Sequence, residues 1–285
     1  MTATLIRHPA VAGRFYPLDP EVLRGEVRDY LTQPQKERPI RSLGCLAPHA
    51  GYMYSGHVAG AVFAALEIPE LCLVLCPNHT GVGRPLAIVS EGAWETPLGD
   101  VPIAGALAAA LMRRCPLLQE DSAAHRNEHA AEVELPFLQS LQPNLKFVPI
   151  ALGTSQFELL EQLGIAIADV IAAQSSPVLI VASSDMNHYE SDAITRVKDH
   201  SAIEPLLRLD AHALHEVVTQ QHVTMCGFGP AVAMLTATKK LGASSAELVK
   251  YATSGDISGD HDLVVGYAGI IVPATPVPAT PVPAT

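Results

Sequence analysis

The sequence predicts an α/β fold with a largely parallel central sheet flanked by helices. Two observations carry this expectation. Apolar runs of strand length recur along the chain, and stretches with helical periodicity lie between them. The composition also suits a large core, since 48% of the 285 residues are hydrophobic and only 16% are charged.

Taken in order, strands are expected at 43–47 (LGCLA), 71–76 (LCLVLC), 147–152 (FVPIAL), 178–183 (VLIVAS) and 264–272 (VVGYAGIIV). LCLVLC is apolar at every position, as a strand buried on both faces requires. Helices are expected near 20–32, 56–66, 102–114, 128–141, 156–174 and 229–241. Ser55 stands where an N-cap would open the second of these, and Pro230 suits the first turn of the last. LAIVSEGAWETPLGDVPI reads as an added antiparallel ribbon turning at Gly99-Asp100, and the more polar 191–222 region as outer helices. Residues 1–272 therefore read as one domain. Residues 273–285, PATPVPATPVPAT, form a proline-rich repeat that favours polyproline II and reads as a flexible terminus or docking arm.

Charge and cysteine usage narrow the function classes. A formal net charge of -11 disfavours a nucleic-acid groove or an anionic membrane surface as partner. No run reaches the roughly 18 uninterrupted apolar residues of a membrane span, and the N-terminus lacks the apolar region of a secretory signal. Five cysteines, Cys45, Cys72, Cys76, Cys115 and Cys226, have no disulfide-framework spacing, so a reduced, cytoplasmic protein is expected. There is no GxSxG elbow, P-loop, GxGxxG fingerprint or HExxH helix, which disfavours the corresponding hydrolases, nucleotide enzymes and metalloproteases.

What remains is a set of histidines at strand exits. LGCLAPHAGY delivers His49, LCLVLCPNHTG delivers His79, and VLIVASSDMNHY delivers Asp185 and His188. In open parallel sheets ligands bind beyond the carboxyl ends of the strands, so these side chains are expected on one rim. Cys226 precedes the helix opening at Gly229-Pro230, where the helix dipole would favour its thiolate and flanking glycines would let a ligand approach. Imidazoles and one thiolate make a site for Fe(II), copper or zinc. His129 and Glu132, three apart at a helix start, are candidates to orient substrate or the ligands, alongside Glu128. The acidic loop around Asp256, Asp260 and Asp262 lacks the spacing of an EF-hand.

Eight ordered segments, VAGRFYP, APHAGYMYSG, CPNHTG, WETPLGDV, EHAAEVELPFLQ, VPIALG, SSDMNHY and CGFGPAVAML, resemble the Memo family over nearly all of residues 8–272. The resemblance implies a fold similar to the class III extradiol (LigB-like) dioxygenases, where two histidines and a glutamate hold Fe(II) and another histidine serves acid–base steps. It implies His49 and His79 as metal ligands, Cys226 in the carboxylate's place, His188 as the acid–base group or a further ligand, and Asp185 lining the pocket. A thiolate is softer and more easily oxidised than a carboxylate, so copper or zinc could compete with iron and ring cleavage does not transfer directly. Prokaryotic members are associated with radical-SAM and AMMECR-type partner proteins, while eukaryotic members have been described as peptide-binding adaptors.

Three functions follow as expectations. The first is a metal-dependent oxidoreductase acting on a small organic substrate, with His188 moving protons. A second is a cysteine hydrolase with Cys226 as nucleophile and His188 as base. The third is a non-catalytic pocket for a peptide or partner protein, assisted by Tyr52, Tyr54 and the tail.

Overall fold

The structure is a computed structural model and describes residues 5–32 and 39–274. In chain order the elements are β1 (Ile6–Arg7), α1 (Pro20–Leu31), β2 (Ser42–Ala47), α2 (Tyr52–Ala64), β3 (Leu71–Pro77), β4 (Leu86–Ile88), β5 (Ala93–Thr96) and β6 (Gly99–Pro102). Then come α3 (Gly105–Arg114), β7 (Gln119–Glu120), α4 (Ala123–Arg126), α5 (Ala130–Leu141), β8 (Lys146–Leu152), α6 (Phe157–Ala172) and β9 (Val178–Ser183). The chain continues through β10 (His188–Glu190), α7 (Asp192–Leu207), α8 (Ala211–Gln220), α9 (Phe228–Lys240), β11 (Glu247–Thr253), α10 (Gly255–Ser258) and β12 (Val264–Pro273).

Among the described residues, nine strands form one mixed sheet in the order β10-β12-β2-β9-β3-β8-β4-β7, with β11 also paired to β12. Its centre, β2-β9-β3-β8, is parallel throughout. Both margins turn antiparallel, β12 against β2 and β4 against β8. The last strand therefore joins the sheet in the opposite sense to its central neighbours. It runs to Pro273, the first residue of the proline-rich tail; residues 275–285 lie outside the described residues.

Strand β3 shows why the apolar runs are unbroken. Leu73 and Leu75 face the core layer that includes Leu107, Leu163 and Val232 from α3, α6 and α9. Cys72, Val74 and Cys76 face the opposite layer, built with Leu23, Val62 and Phe137 from α1, α2 and α5. Because side chains alternate, a strand covered on both faces has no solvent side on which to place polar residues.

Local chemistry sets the element boundaries. Asp19 caps α1, its Oδ1 accepting from the N–H groups of Glu21 (2.9 Å) and Val22 (3.0 Å), with Pro20 opening the helix. Ser55 does not cap α2, which starts at Tyr52 behind Gly51. The buried Tyr52 ring extends the helix backward, its hydroxyl donating to the Val133 carbonyl at 2.8 Å. Ser55 instead donates to the Ala50 carbonyl at 3.0 Å.

The ribbon also differs from expectation. β5 and β6 pair antiparallel with Thr96 opposite Gly99, so the turn is at Pro97-Leu98 and Gly99-Asp100 lies within β6. Thr96 organises it, its hydroxyl accepting from the Leu98 N–H at 3.1 Å and donating to the Gly99 carbonyl at 3.0 Å. β4, read as part of the ribbon, belongs to the main sheet, and β1 completes the small one by pairing with β5.

Helix α9 starts tightly against the end of β9. A Cβ at Gly227 would collide with the Ser183 carbonyl oxygen and the Ser184 side chain. That glycine thus serves close packing rather than ligand approach. Gly227→Ala should destabilise the fold by about 1–3 kcal/mol, as overpacking does. Urea unfolding checks this, and an unchanged midpoint would contradict the close approach.

Candidate functional site

The parallel register brings the expected residues to one rim. β2, β9 and β3 are neighbours, and each ends just before a segment carrying site side chains: His49 after β2, Asp185 and His188 after β9, His79 after β3. His129 stands at the N-cap of α5 and Cys226 just ahead of α9. All six line one open cavity of about 500 Å³, together with Phe15, Tyr189 and Thr224. Glu132 is not among them.

Three imidazoles form the tightest group. One nitrogen from each of His49, His79 and His129 lies within 4.8 Å of the others. His79 and His129 stack, with centroids 4.7 Å apart, and His49 meets both edge-on at 5.2 and 5.4 Å. Cys226 stands beside this group, its Sγ 3.4 Å from His49 Nε2.

The buried Glu128 carboxylate binds two of the three histidine positions. Its Oε2 accepts the His79 N–H at 2.6 Å, and its Oε1 accepts His79 Nδ1–H at 2.9 Å. The same Oε1 accepts the N–H groups of His129 (2.9 Å) and Ala130 (3.0 Å) at the start of α5. Burial opposes the charge on Glu128, but the His79 hydrogen bond and charge, aided by the Ala130 N–H, hold it down at about 2. Burial also opposes charge on His79, and there the Glu128 hydrogen bond and carboxylate prevail and raise its pKa. His49 and His129 behave differently. Burial, reinforced by the neighbouring imidazoles, lowers them to about 3 and about 4, so both rings are neutral at neutral pH.

Asp185 is buried at the back of the cavity and accepts the His49 N–H at 2.9 Å, shaping the loop after β2; burial raises its pKa. His188 donates its N–H to Thr224 Oγ1 (2.7 Å) and its Nδ1–H to the Thr224 carbonyl (2.9 Å). Nε2 is thus the ring nitrogen that the Thr224 bonds leave unengaged. Thr224 is in turn held by Asn187 Oδ1, which accepts both its N–H and its hydroxyl at 3.1 Å.

Two expectations are corrected. Cys226 is not an activated thiolate: burial raises its pKa, Asp185 adds to the rise, and the Gly227 amide at the helix start is too weak to reverse it. Its imidazole neighbour is His49 rather than His188, which removes the premise of a His188-activated nucleophile. Glu132 points away from the cavity. Its carboxylate gathers Arg7 (2.7 Å), the N–H groups of Ala10 (2.8 Å) and Val11 (3.0 Å), and the Tyr16 hydroxyl (2.7 Å), anchoring the N-terminal segment. Supporting residues that sequence reasoning missed are Ser183, Asn187 and Thr224. The signal for Ser183 was the first hydroxyl to close the apolar run VLIVA, ahead of Ser184.

The donor set suits a transition-metal ion. His79 gives its Nδ1–H to a carboxylate, which leaves Nε2 for the cavity, and His49 is likewise tied at Nδ1, 2.8 Å from Ser183 Oγ. Ligating histidines are characteristically held this way. Imidazoles beside a sulfur donor suit iron, copper or zinc better than magnesium or calcium.

Fold and site together define an α/β protein with a histidine-rich pocket beyond the carboxyl ends of its central parallel strands. Residues 7–271 match the family model described as Memo-like protein, and the chain belongs to that family. A MEMO1 family protein of Methanopyrus kandleri is 42% identical over 277 residues, covering 93% of this chain and 98% of the relative. One from Methanosarcina barkeri is also 42% identical, over 269 residues, covering 94% and 100%. The crystal structure of an uncharacterized protein from Escherichia coli K12 aligns with a TM-score of 0.46 at 15% identity, covering 79% of this chain and 99% of that one. Among the described residues, no helix is long and apolar enough to cross a membrane.

The scaffold beneath His188 yields a pH prediction. Asp199 is buried; its Oδ1 accepts the Asn187 N–H at 2.8 Å and its Oδ2 the Tyr251 hydroxyl at 2.7 Å. Burial raises it to about 6 although both hydrogen bonds pull the other way. The folded pKa therefore exceeds the unfolded value of about 3.9, so ionisation disfavours folding and stability falls as pH rises from about 4 to about 6. The group's share is about 2–3 kcal/mol. Asp199→Asn should remove that slope, and urea unfolding across this window checks it; identical profiles would contradict the assignment.

Proposed function

We propose that this Memo-like protein is a metal-dependent oxidoreductase whose rim cavity holds one ion through His49, His79 and Cys226. Iron(II) is the first choice and copper or zinc the competitors. His129, the third imidazole of the close group, is the further ligand candidate. The observation that carries this reading is the convergence of three imidazole nitrogens within 4.8 Å. Bound iron or copper would supply Lewis-acid and one-electron chemistry, whereas zinc would supply Lewis-acid chemistry alone. The ion's arrival requires that Cys226 lose its thiol proton and that His79 Nε2 be unprotonated.

The chain's own residues do the rest. The cavity, about 500 Å³, has the size of a small organic substrate's site. His188 Nε2 takes or gives a proton there while Thr224 holds the ring still. Phe15, packed on His129 with centroids 4.8 Å apart, supplies an aromatic wall. The oxidant in this reading is dioxygen, as the kinship to extradiol dioxygenases implied by the Memo-like sequence motifs would have it. The five free cysteines fit a reducing cytoplasm.

A second reading, a pocket for a peptide or partner protein, is favoured by Tyr189. This aromatic residue lines the cavity yet is 73% exposed, and its φ of 60° is uncommon for a non-glycine residue.

The deciding experiment is metal analysis of tag-free protein purified without oxygen. About one iron or copper per chain is expected, with at least tenfold weaker retention in His79→Ala and Cys226→Ala. A parent protein that stays metal-free after reconstitution overturns the oxidoreductase reading in favour of the partner pocket.

A further inference from the structure

Behind His49 lies a buried carboxyl that the reading above does not use. Glu134, on α5, is fully buried. Its Oε1 is 2.7 Å from Ser183 Oγ, and among the described residues its Oε2 has no hydrogen-bond partner. The Ser183 hydroxyl therefore meets three polar atoms: Glu134 Oε1, His49 Nδ1 at 2.8 Å and the Ala130 carbonyl at 2.9 Å.

Counting protons assigns these contacts. A hydroxyl has one proton to give and two lone pairs to receive. The Ala130 carbonyl can only accept, so Ser183 donates there. Both remaining contacts must then donate to Ser183, which puts a proton on His49 Nδ1 and another on Glu134 Oε1. An ionised Glu134 would compete with Ala130 for the single hydroxyl proton and leave a buried carboxylate oxygen unpaired, a costlier state than an unpaired neutral one.

Two observations agree with this count. Burial pushes the Glu134 carboxyl well above the usual range; the Ser183 contact opposes the shift and Asp185 adds to it. On the far side of the ring, Cys226 Sγ lies 3.4 Å from Nε2, so a lone pair there can accept from the thiol, as the Asp185 carbonyl at 3.7 Å also can.

We propose that Glu134 is a positioning residue of the metal centre: a neutral carboxyl that donates to Ser183 and, through that hydroxyl, fixes His49 with its proton on Nδ1 and its lone pair on Nε2 toward the cavity. Its consequence for metal affinity rests on the metal-binding reading, whereas the tautomer belongs to the metal-free protein.

The test compares the parent with Glu134→Gln, Glu134→Leu and Ser183→Ala. Nitrogen-15 NMR of histidine-labelled, metal-free protein reads the His49 tautomer, with its signal assigned by its loss in His49→Gln. The parent and Glu134→Gln, whose carboxamide keeps a donor and an acceptor in the same volume, should show Nδ1–H. Ser183→Ala and Glu134→Leu should show a mixture or Nε2–H, with iron affinity about 10–100-fold weaker. Infrared difference spectra should show a protonated carboxylic acid band in the parent that Glu134→Gln lacks.

An Nε2–H ring in the parent, or no such acid band, overturns the proposal. Nδ1–H in a parent that binds no iron refutes the metal function and leaves the tautomer assignment standing. Equal iron affinity and an unchanged tautomer in Ser183→Ala refute the positioning role and leave the metal centre standing. Should Glu134→Leu fail to fold, Ser183→Ala carries the same comparison.

Discussion

The buried Glu128 carboxylate ties the exit of β3 to the start of α5. One carboxylate accepts a backbone N–H and a ring N–H from His79 and two backbone N–H groups from the first residues of the helix. Such charge-assisted bonds are the strong ones, and the helix N-terminus favours negative charge at this point. Without it, His79 would lose its orientation, His129 its position, and the helix start two of the four hydrogen bonds that converge on one buried anion. Two of the three converging rings hang on this group.

The second constraint is the parallel centre of the sheet. β2, β9 and β3 run side by side and release their chains at the same edge, so residues far apart in sequence meet without a dedicated loop. The layers behind them are apolar and closely packed, which makes burial the leading influence on the cavity's titratable groups. Burial keeps His49 and His129 neutral and Cys226 protonated. At His79, whose ring donates to Glu128 at 2.9 Å, the balance turns toward charge, whereas at His129, 3.5 Å from the same oxygen, burial still prevails.

Much of this was legible in the sequence because burial on both faces leaves unbroken apolar runs. LCLVLC and VLIVAS mark strands, and the polar residues after them had to lie at an edge. His49, His79, Asp185 and His188 were readable for that reason, and Cys226 from its place before a helix. Glu132 misled because sharing a helix face with His129 does not say which way that face points. The face turns toward residues 7–16, whose backbone N–H groups needed a buried acceptor. The chemistry of Cys226 was hidden as well, since the depth of burial that outweighs a helix dipole is a tertiary property. β11 carries a partly exposed, mixed-polarity sequence, ELVKYAT, and is specified by its partner β12 rather than by its own pattern. Glu134 left a visible trace, an acid inside AAEVELPFL, but its meaning depends on Ser183, which arrives from another strand.

The central claim is that His49, His79 and Cys226 converge on one ion. X-ray absorption at the metal edge of iron-loaded protein tests it most directly. The account predicts imidazole nitrogen scatterers together with one sulfur at about 2.3 Å, the sulfur absent in Cys226→Ala. A shell of oxygen atoms alone, unchanged in that variant, would contradict it.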